Sequence, residues 1–173
     1  MESRLHQHTV VACPLAQAGR RISEFFGARV STEDKKSRLS LSIDARIPGL
    51  SAPVHLQRSV VVTFEAPAHE GEITPQYKVA WAPADPGPFP LFIGALRVEA
   101  TDDYESFLLV LEGTYEPPLG ALGAAFDSLI GSRIAGVCAR NLLARIAEEI
   151  ETKFLADEAK KAEARHAAAT TKQ

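Results

Sequence analysis

Strict alternation of apolar and polar residues sets in after residue 37. From Arg38 to Ile47 the residues Leu39, Leu41, Ile43, Ala45 and Ile47 alternate with Arg38, Ser40, Ser42, Asp44 and Arg46. A period of two is that of a strand with one buried face. Pro48-Gly49 turns the chain, and Val54 to Glu65 predicts a second strand with Val54, Leu56, Val60, Val62 and Phe64 on one side. Tyr77 to Ala82 sets Tyr77, Val79 and Trp81 on one side of a shorter strand. Leu91 to Ala100 and Glu105 to Tyr115 form the last two, joined through Thr101 to Tyr104 as a hairpin. The final strand lines up Phe107, Leu109, Leu111 and Tyr115. Pro83 to Pro90 contains four prolines, which lack the ladder donor, so this segment is a loop. Ahead of the alternating region, His8 to Leu15 reads as a first strand stopped by Pro14. Ala16 to Ala28 reads as an amphipathic helix carrying Ile22, Phe25 and Phe26. The pattern predicts six or seven strands.

After Pro117-Pro118 the period becomes helical, through Phe126, Leu129, Ile134, Val137, Leu142, Leu143, Ile146 and Ile150 to Phe154. An unbroken helix from Leu119 to Phe154 would span roughly 54 Å. A domain of this size has a radius of gyration of about 16 Å, so a bend is expected. Gly131-Ser132 is the weakest helical point and predicts a short segment over 119–130 and a main helix from Ser132. On a helical wheel Phe126, Ile130, Ile134 and Val137 share one side, and Leu143, Ile146, Ile150 and Phe154 another. Residues 1–156 read as one domain. Residues 157–173 form a charged, Ala-rich tail, helical or disordered, in which Asp157 and Lys161 are spaced for a weak i,i+4 pair.

Composition narrows the function classes. At 173 residues and 46% hydrophobic, the chain can bury the core of one ordinary domain. A net charge of −3, with Lys and Arg scattered, provides no field for a phosphate backbone, so nucleic acid is not an expected partner. No stretch reaches the roughly 20 apolar residues of a membrane span, and the first residues lack a signal peptide's apolar core, which makes the cytoplasm the expected location. Cys13 and Cys138 are far apart among apolar neighbours and are expected to be buried thiols.

One strand, one helix, an antiparallel sheet and a long final helix is also the element order of a known superfamily. Trp81 before a Pro-rich loop, Phe89-Pro90-Leu91 entering a strand, and Gly113-Thr-Tyr-Glu-Pro-Pro-Leu-Gly-Ala-Leu-Gly-Ala-Ala-Phe-Asp127 resemble small bacterial proteins of the START-like helix-grip (SRPBCC) superfamily. The resemblance covers residues 54–150, and Tyr-x-Pro-Pro-Leu-Gly-x-Leu-Gly is its most specific part. It implies an α+β fold in which a curved antiparallel sheet wraps a long C-terminal helix, with an apolar cavity between them. Many members have two early helices where this chain reads as having one. The superfamily binds lipids, sterols and polyketides, and a minority of its members are enzymes, so the fold does not choose the function.

The residues supply candidates rather than a catalytic signature. Arg58 falls in the apolar register of its strand: either its guanidinium holds the acidic head of an amphiphile, or a bulge at Gln57-Arg58-Ser59 sends it to solvent. Tyr77, Trp81, Phe92, Tyr115, Phe126, Ile130 and Ile134 are the remaining candidates to line a ligand cavity, or equally to fill a core. Glu112 shares a face with Leu108, Val110 and Thr114 and is expected in solvent, where exposed Leu108 and Val110 hint at a homodimer. His6 and His8 find no completing metal ligands by spacing, while His55 and His69 have no evident partner. Nucleophile elbows, P-loops and dinucleotide fingerprints are missing, and no metal or cofactor is expected. The leading expectation is non-catalytic binding or transport of a hydrophobic or amphiphilic small molecule. The alternatives are a cyclase- or hydrolase-like enzyme on such a ligand, and a partner-binding module with a filled core.

Overall fold

The computed structural model describes residues 3–28, 37–45, 54–65, 74–84, 91–116 and 129–170. Its elements are β1 (Ser3–Val11), a 3-10 turn at Leu15–Gln17, α1 (Ala18–Gly27), β2 (Ser37–Ala45), β3 (Val54–Glu65), β4 (Gln76–Pro83), β5 (Leu91–Ala100), β6 (Phe107–Glu116) and α2 (Leu129–Thr170). The six strands form a single antiparallel sheet in the order β1-β6-β5-β4-β3-β2. Thus β2 to β6 are a meander, and β1 closes on its far side. This is the expected α+β architecture, with six strands among the described residues.

The strands at the two edges, β1 and β2, both pack on α2, as does β6, while α2 lies less closely on β3, β4 and β5. A flat six-stranded sheet separates its edges by about 24 Å. For both edges to reach one helix while the central strands stand off, the sheet must curve around it. Along β1, Gln7 lies near Gly136 and the Ala12 amide donates to Glu151 Oε1 at 2.7 Å, so helix and strand run alongside each other.

Three sequence expectations change. First, β1 starts at Ser3 rather than His8 and ends at Val11, because Arg4, His6 and His8 are the polar half of an alternation with Leu5 that β6 completes from Ser3↔Tyr115 to Val11↔Phe107. Second, the connection from β5 to β6 is longer than a four-residue hairpin and delays β6 to Phe107. Asp103 accepts from the Thr101 hydroxyl at 2.9 Å and the Glu105 amide at 3.1 Å, and Tyr104 takes a left-handed φ of 57°. Third, α2 runs through Gly131-Ser132 without a break. Its 42 residues measure about 63 Å, so it does overhang the body. The size argument fails because residues 160–170 are exposed on all sides: an Ala/Glu/Lys helix projects into water at little cost. The segment 119–128, expected as a separate helical piece, lies outside the described residues.

The buried stripe of α2 is Ala135, Cys138, Ala139, Leu142, Leu143, Ile146, Ala147 and Ile150, with Val137 and Phe154 packed beside it. Spacings of three and four keep these on one face. The stripe is built of small residues in its first half and of Leu and Ile in its second. The helix α1 is docked by aromatic stacking: Phe26 lies on Phe64 at 3.9 Å, and Phe64 on Tyr77 at 4.7 Å. Its charged anchor is Arg21, whose side chain is 3% exposed and meets Asp157 at 2.7 Å and Glu24 at 3.5 Å. Asp157 therefore joins α2 to α1 instead of pairing with Lys161, which turns to Glu158 at 2.7 Å.

Mid-sheet, one inner-face row runs Leu5–Gly113–Gly94–Val79–Phe64 across five strands. At the two glycines a methyl group would collide with backbone, the Glu112 carbonyl for Gly94 and the Ile93 carbonyl for Gly113, and with the Phe92 ring that folds over the pair. Side chains are excluded there by close approach of β5 and β6. Replacing Gly94 or Gly113 with Ala should lower unfolding stability by about 2 kcal/mol or more, read from urea midpoints at unchanged m-value.

The Arg21 hydrogen bond, the largest cause, holds the Asp157 carboxyl below its ordinary pKa of 3.8. A depressed carboxyl pKa contributes stability that is fully present above the unfolded value and is lost as pH falls through the folded one. Denaturant midpoints of Asp157→Asn should lie below wild type at neutral pH, and the gap should close below pH 3.8.

Candidate functional site: the inner face of the sheet

Alternation places Tyr77, Val79 and Trp81 of β4, Phe92, Leu96 and Val98 of β5, and Phe107, Leu109, Leu111 and Tyr115 of β6 on the inner face, all buried. The candidates Tyr77, Trp81, Phe92 and Tyr115 thus share one surface. Trp81 stacks on Phe92 at 4.0 Å and 16°, and in the ladder Tyr115 pairs with Phe92, which pairs with Trp81. These three occupy one row at the end of the sheet where β6 finishes. Tyr77 sits toward the other end, under α1, where its hydroxyl donates to the Gly19 carbonyl at 3.3 Å. That bond and its stacking on Phe64 assign Tyr77 to the docking of α1.

Over residues 135–139 the buried face of α2 offers little side-chain volume. Gly136 comes close to Gln7 of β1, and Ala135, Cys138 and Ala139 belong to the same buried face. Gln7 is opposite Leu111, in the row that continues through Leu96 to Tyr77, so these small residues come to the middle of the sheet, four residues along β1 from Ser3, which is opposite Tyr115. Sequence reading concentrated on the large residues and missed these small ones. Their signal was present as Ala135-Gly136 and Cys138-Ala139, spaced three and four apart ahead of Leu142.

The remaining candidates fall where less is described. Arg58 lies in β3, and the β2–β3 ladder passes through it unbroken, with Ser40↔Ser59, Leu41↔Arg58 and Ser42↔Gln57. The alternative bulge is therefore absent, and position 58 keeps phase with Val60 and Val62. The Arg58 side chain lies outside the described portion, as do those of Ile130 and Ile134 in α2 and the whole of Phe126. His55 lies in β3 opposite Asp44, with its side chain also outside that portion, and His69 lies outside the described residues.

Among the described residues the inner face carries no carboxylate or imidazole. Its titratable groups are phenols and thiols. Burial pushes the Tyr77 phenol above its ordinary value, opposed by a hydrogen bond from Ser23. Cys138 is pushed up to about 12 by burial, and Cys13 is raised by the same cause against the pull of Arg21 and Arg20. Both thiols are buried and unbridged, and a thiol held protonated is a poor nucleophile.

The outer face differs from expectation. Val110 is 2% exposed, not open to solvent, because it lies between His8 of β1 and Arg97 of β5, and Leu108 is half-buried. The stem of an arginine covers apolar neighbours while its head stays polar. Glu112 is half-buried and ion-paired with Arg97 at 2.9 Å, with His6 at 3.9 Å from the same oxygen. Ile93, 71% exposed, Val10, 55% exposed, and Leu91, 41% exposed, are the large apolar residues that this face presents among the described residues. No group of three His, Cys, Asp or Glu among the described residues is placed to hold a metal ion.

No family model matches the chain, and no curated protein does. Solved structures do. TTHA0849 from Thermus thermophilus superposes with a TM-score of 0.51 at 13% identity, over 87% of this chain and 99% of that one. The Zhui aromatase/cyclase from a Streptomyces species matches at 0.47 and 14%, over 88% and 93%. A START superfamily protein from Mycobacterium smegmatis matches at 0.42 and 16%, over 84% and 97%. The chain shares its overall fold with TTHA0849, and its own topology is an antiparallel sheet curved around a long C-terminal helix. Identities this low establish the fold and leave the activity to the residues. None of the described helices is long and apolar enough to cross a membrane.

Because both thiols are buried, Ellman's reagent should find no reactive cysteine in the native protein at pH 8. It should find two after denaturation.

Proposed function

We propose that the protein binds a hydrophobic or amphiphilic small molecule, without catalysis, between the inner face of the sheet and α2. The observation that carries this reading is a mismatch in side-chain size: the inner face of the sheet presents Tyr77, Trp81, Phe92 and Tyr115, while the described buried stripe of α2 begins with Ala135, Gly136, Cys138 and Ala139. A sheet that curves around a helix needs bulk from both sides to close the interval, and here one side lacks it. An apolar ligand supplies the missing volume, as apolar, aromatic-lined sites do. Phe126, Ile130 and Ile134 extend the proposed lining. Arg58, in phase with Val60 and Val62, is the proposed partner for a ligand's acidic head group.

The enzymatic alternative needs an acid, a base or a nucleophile facing that ligand. The described inner face offers phenols and high-pKa thiols instead, which favours binding. A partner-binding module with a filled core is the second alternative, and packing density separates it from the first.

Ala139→Phe adds a ring to the small-residue face of the helix. If a ligand occupies the interval, this variant keeps wild-type thermal stability and loses about tenfold or more in affinity for an apolar fluorescent probe. Native mass spectrometry and organic extraction of the wild-type protein should also show bound lipid or polyketide-like material. A solidly packed core gives the opposite result: Ala139→Phe loses about 1–3 kcal/mol to overpacking, and the wild type binds no probe.

A further inference from the structure

The outer face of the sheet carries a feature that the proposed binding function does not use. Directly behind the Gly94–Gly113 pair lies a depression of about 560 Å3, walled by Arg4 and His6 of β1 and by Glu112 and Thr114 of β6, with the two glycines lining it. The ladder explains its composition. Arg4 is opposite Thr114, His6 is opposite Glu112, and Thr114 is in turn opposite Ile93 of β5. The side-chain positions of both glycines belong to the inner face, so on the outer side the floor is their backbone together with the small Ala95, which is opposite Glu112.

The charges in this depression are unequally engaged. Glu112 is bound to Arg97 at 2.9 Å, and Arg97 also reaches Glu99 at 3.5 Å. His6 stands at 3.9 Å from the Glu112 oxygen that Arg97 already holds. Arg4, by contrast, is exposed and makes no ion pair or hydrogen bond among the described residues. A guanidinium with its donors free, facing a hydroxyl across a non-filled floor, is a receptor for a planar or tetrahedral anion. Ile93, 71% exposed beside Thr114, adds an aliphatic contact at the rim.

We propose that this depression is a second ligand site, separate from the inner face, that takes a small molecule bearing a carboxylate or phosphoryl group on a short aliphatic chain. Arg4 forms the charged hydrogen bonds to the anion, Thr114 donates its hydroxyl, and Ile93 covers the chain. Glu112 is the opposing charge that keeps affinity modest and is held away from the anion by Arg97.

Butyrate and butyl phosphate are the two probes, one for each anion chemistry, titrated into the 15N-labelled full-length protein. At least one should shift the amides of Gly94, Gly113 and Thr114 saturably with a millimolar dissociation constant, and the better of the two identifies the head group. Arg4→Gln should weaken that binding about tenfold or more, and Glu112→Gln should tighten it several-fold by removing the opposing charge. Both substitutions lie on the outer face, so binding of apolar probe to the inner face stays unchanged in them. The proposal is overturned if neither probe gives saturable shifts up to about 20 mM. It is equally overturned if the shifts persist in Arg4→Gln, or if Glu112→Gln abolishes them, which would mark Glu112 as the ligand-holding group.

Discussion

Two edge strands meeting one helix is the constraint on which the rest of this structure depends. Because β1 and β2 both rest on α2, the sheet between them has to bow, and its central strands cannot lie against the helix as closely as its edges do. Everything inside is a response to that geometry. Aromatic side chains from β4, β5 and β6 reach inward, α1 is pinned over one half by the Phe26–Phe64–Tyr77 stack, and a buried arginine ties α1 to the far part of the helix.

The glycine pair couples the two faces. Gly94 and Gly113 let β5 and β6 approach closely, and the Phe92 ring folds over them on the inner side, where it stacks on Trp81. On the outer side the backbone of the same two residues lines the depression between Arg4 and Glu112. The inner and outer sites are therefore separated by little more than backbone, yet they differ in chemistry: hydrocarbon and aromatic groups within, a charged rim without. That contrast is what makes two distinct ligand classes reasonable for one thin sheet.

Much of the fold was legible from periodicity. Val54–Glu65 and Leu91–Ala100 appear as strands with the boundaries expected, because alternation over ten or more residues is a strong signal. The candidate site was legible in part. Tyr77, Trp81, Phe92 and Tyr115 do share a face, but Tyr77 serves α1 through its bond to Gly19, a contact 58 residues apart in sequence that no local pattern could show. The bend at Gly131 was wrongly expected because compactness was applied to a helix whose last turns are polar and need no partner. Exposure of Val110 was wrongly expected as well, since its cover is Arg97 on the neighbouring strand.

By itself, the sequence determined which residues could be strands, which helix was amphipathic, and that the chemistry on offer was apolar and aromatic rather than catalytic, because these follow from side-chain type and spacing. Tertiary structure decided the rest: that Asp157 pairs with Arg21 rather than Lys161, that the ladder runs through Arg58 without a bulge, and that the small helix residue Gly136 comes to Gln7 of β1. Each of those depends on which distant segments the curved sheet brings together, and distance along the chain carries no record of that.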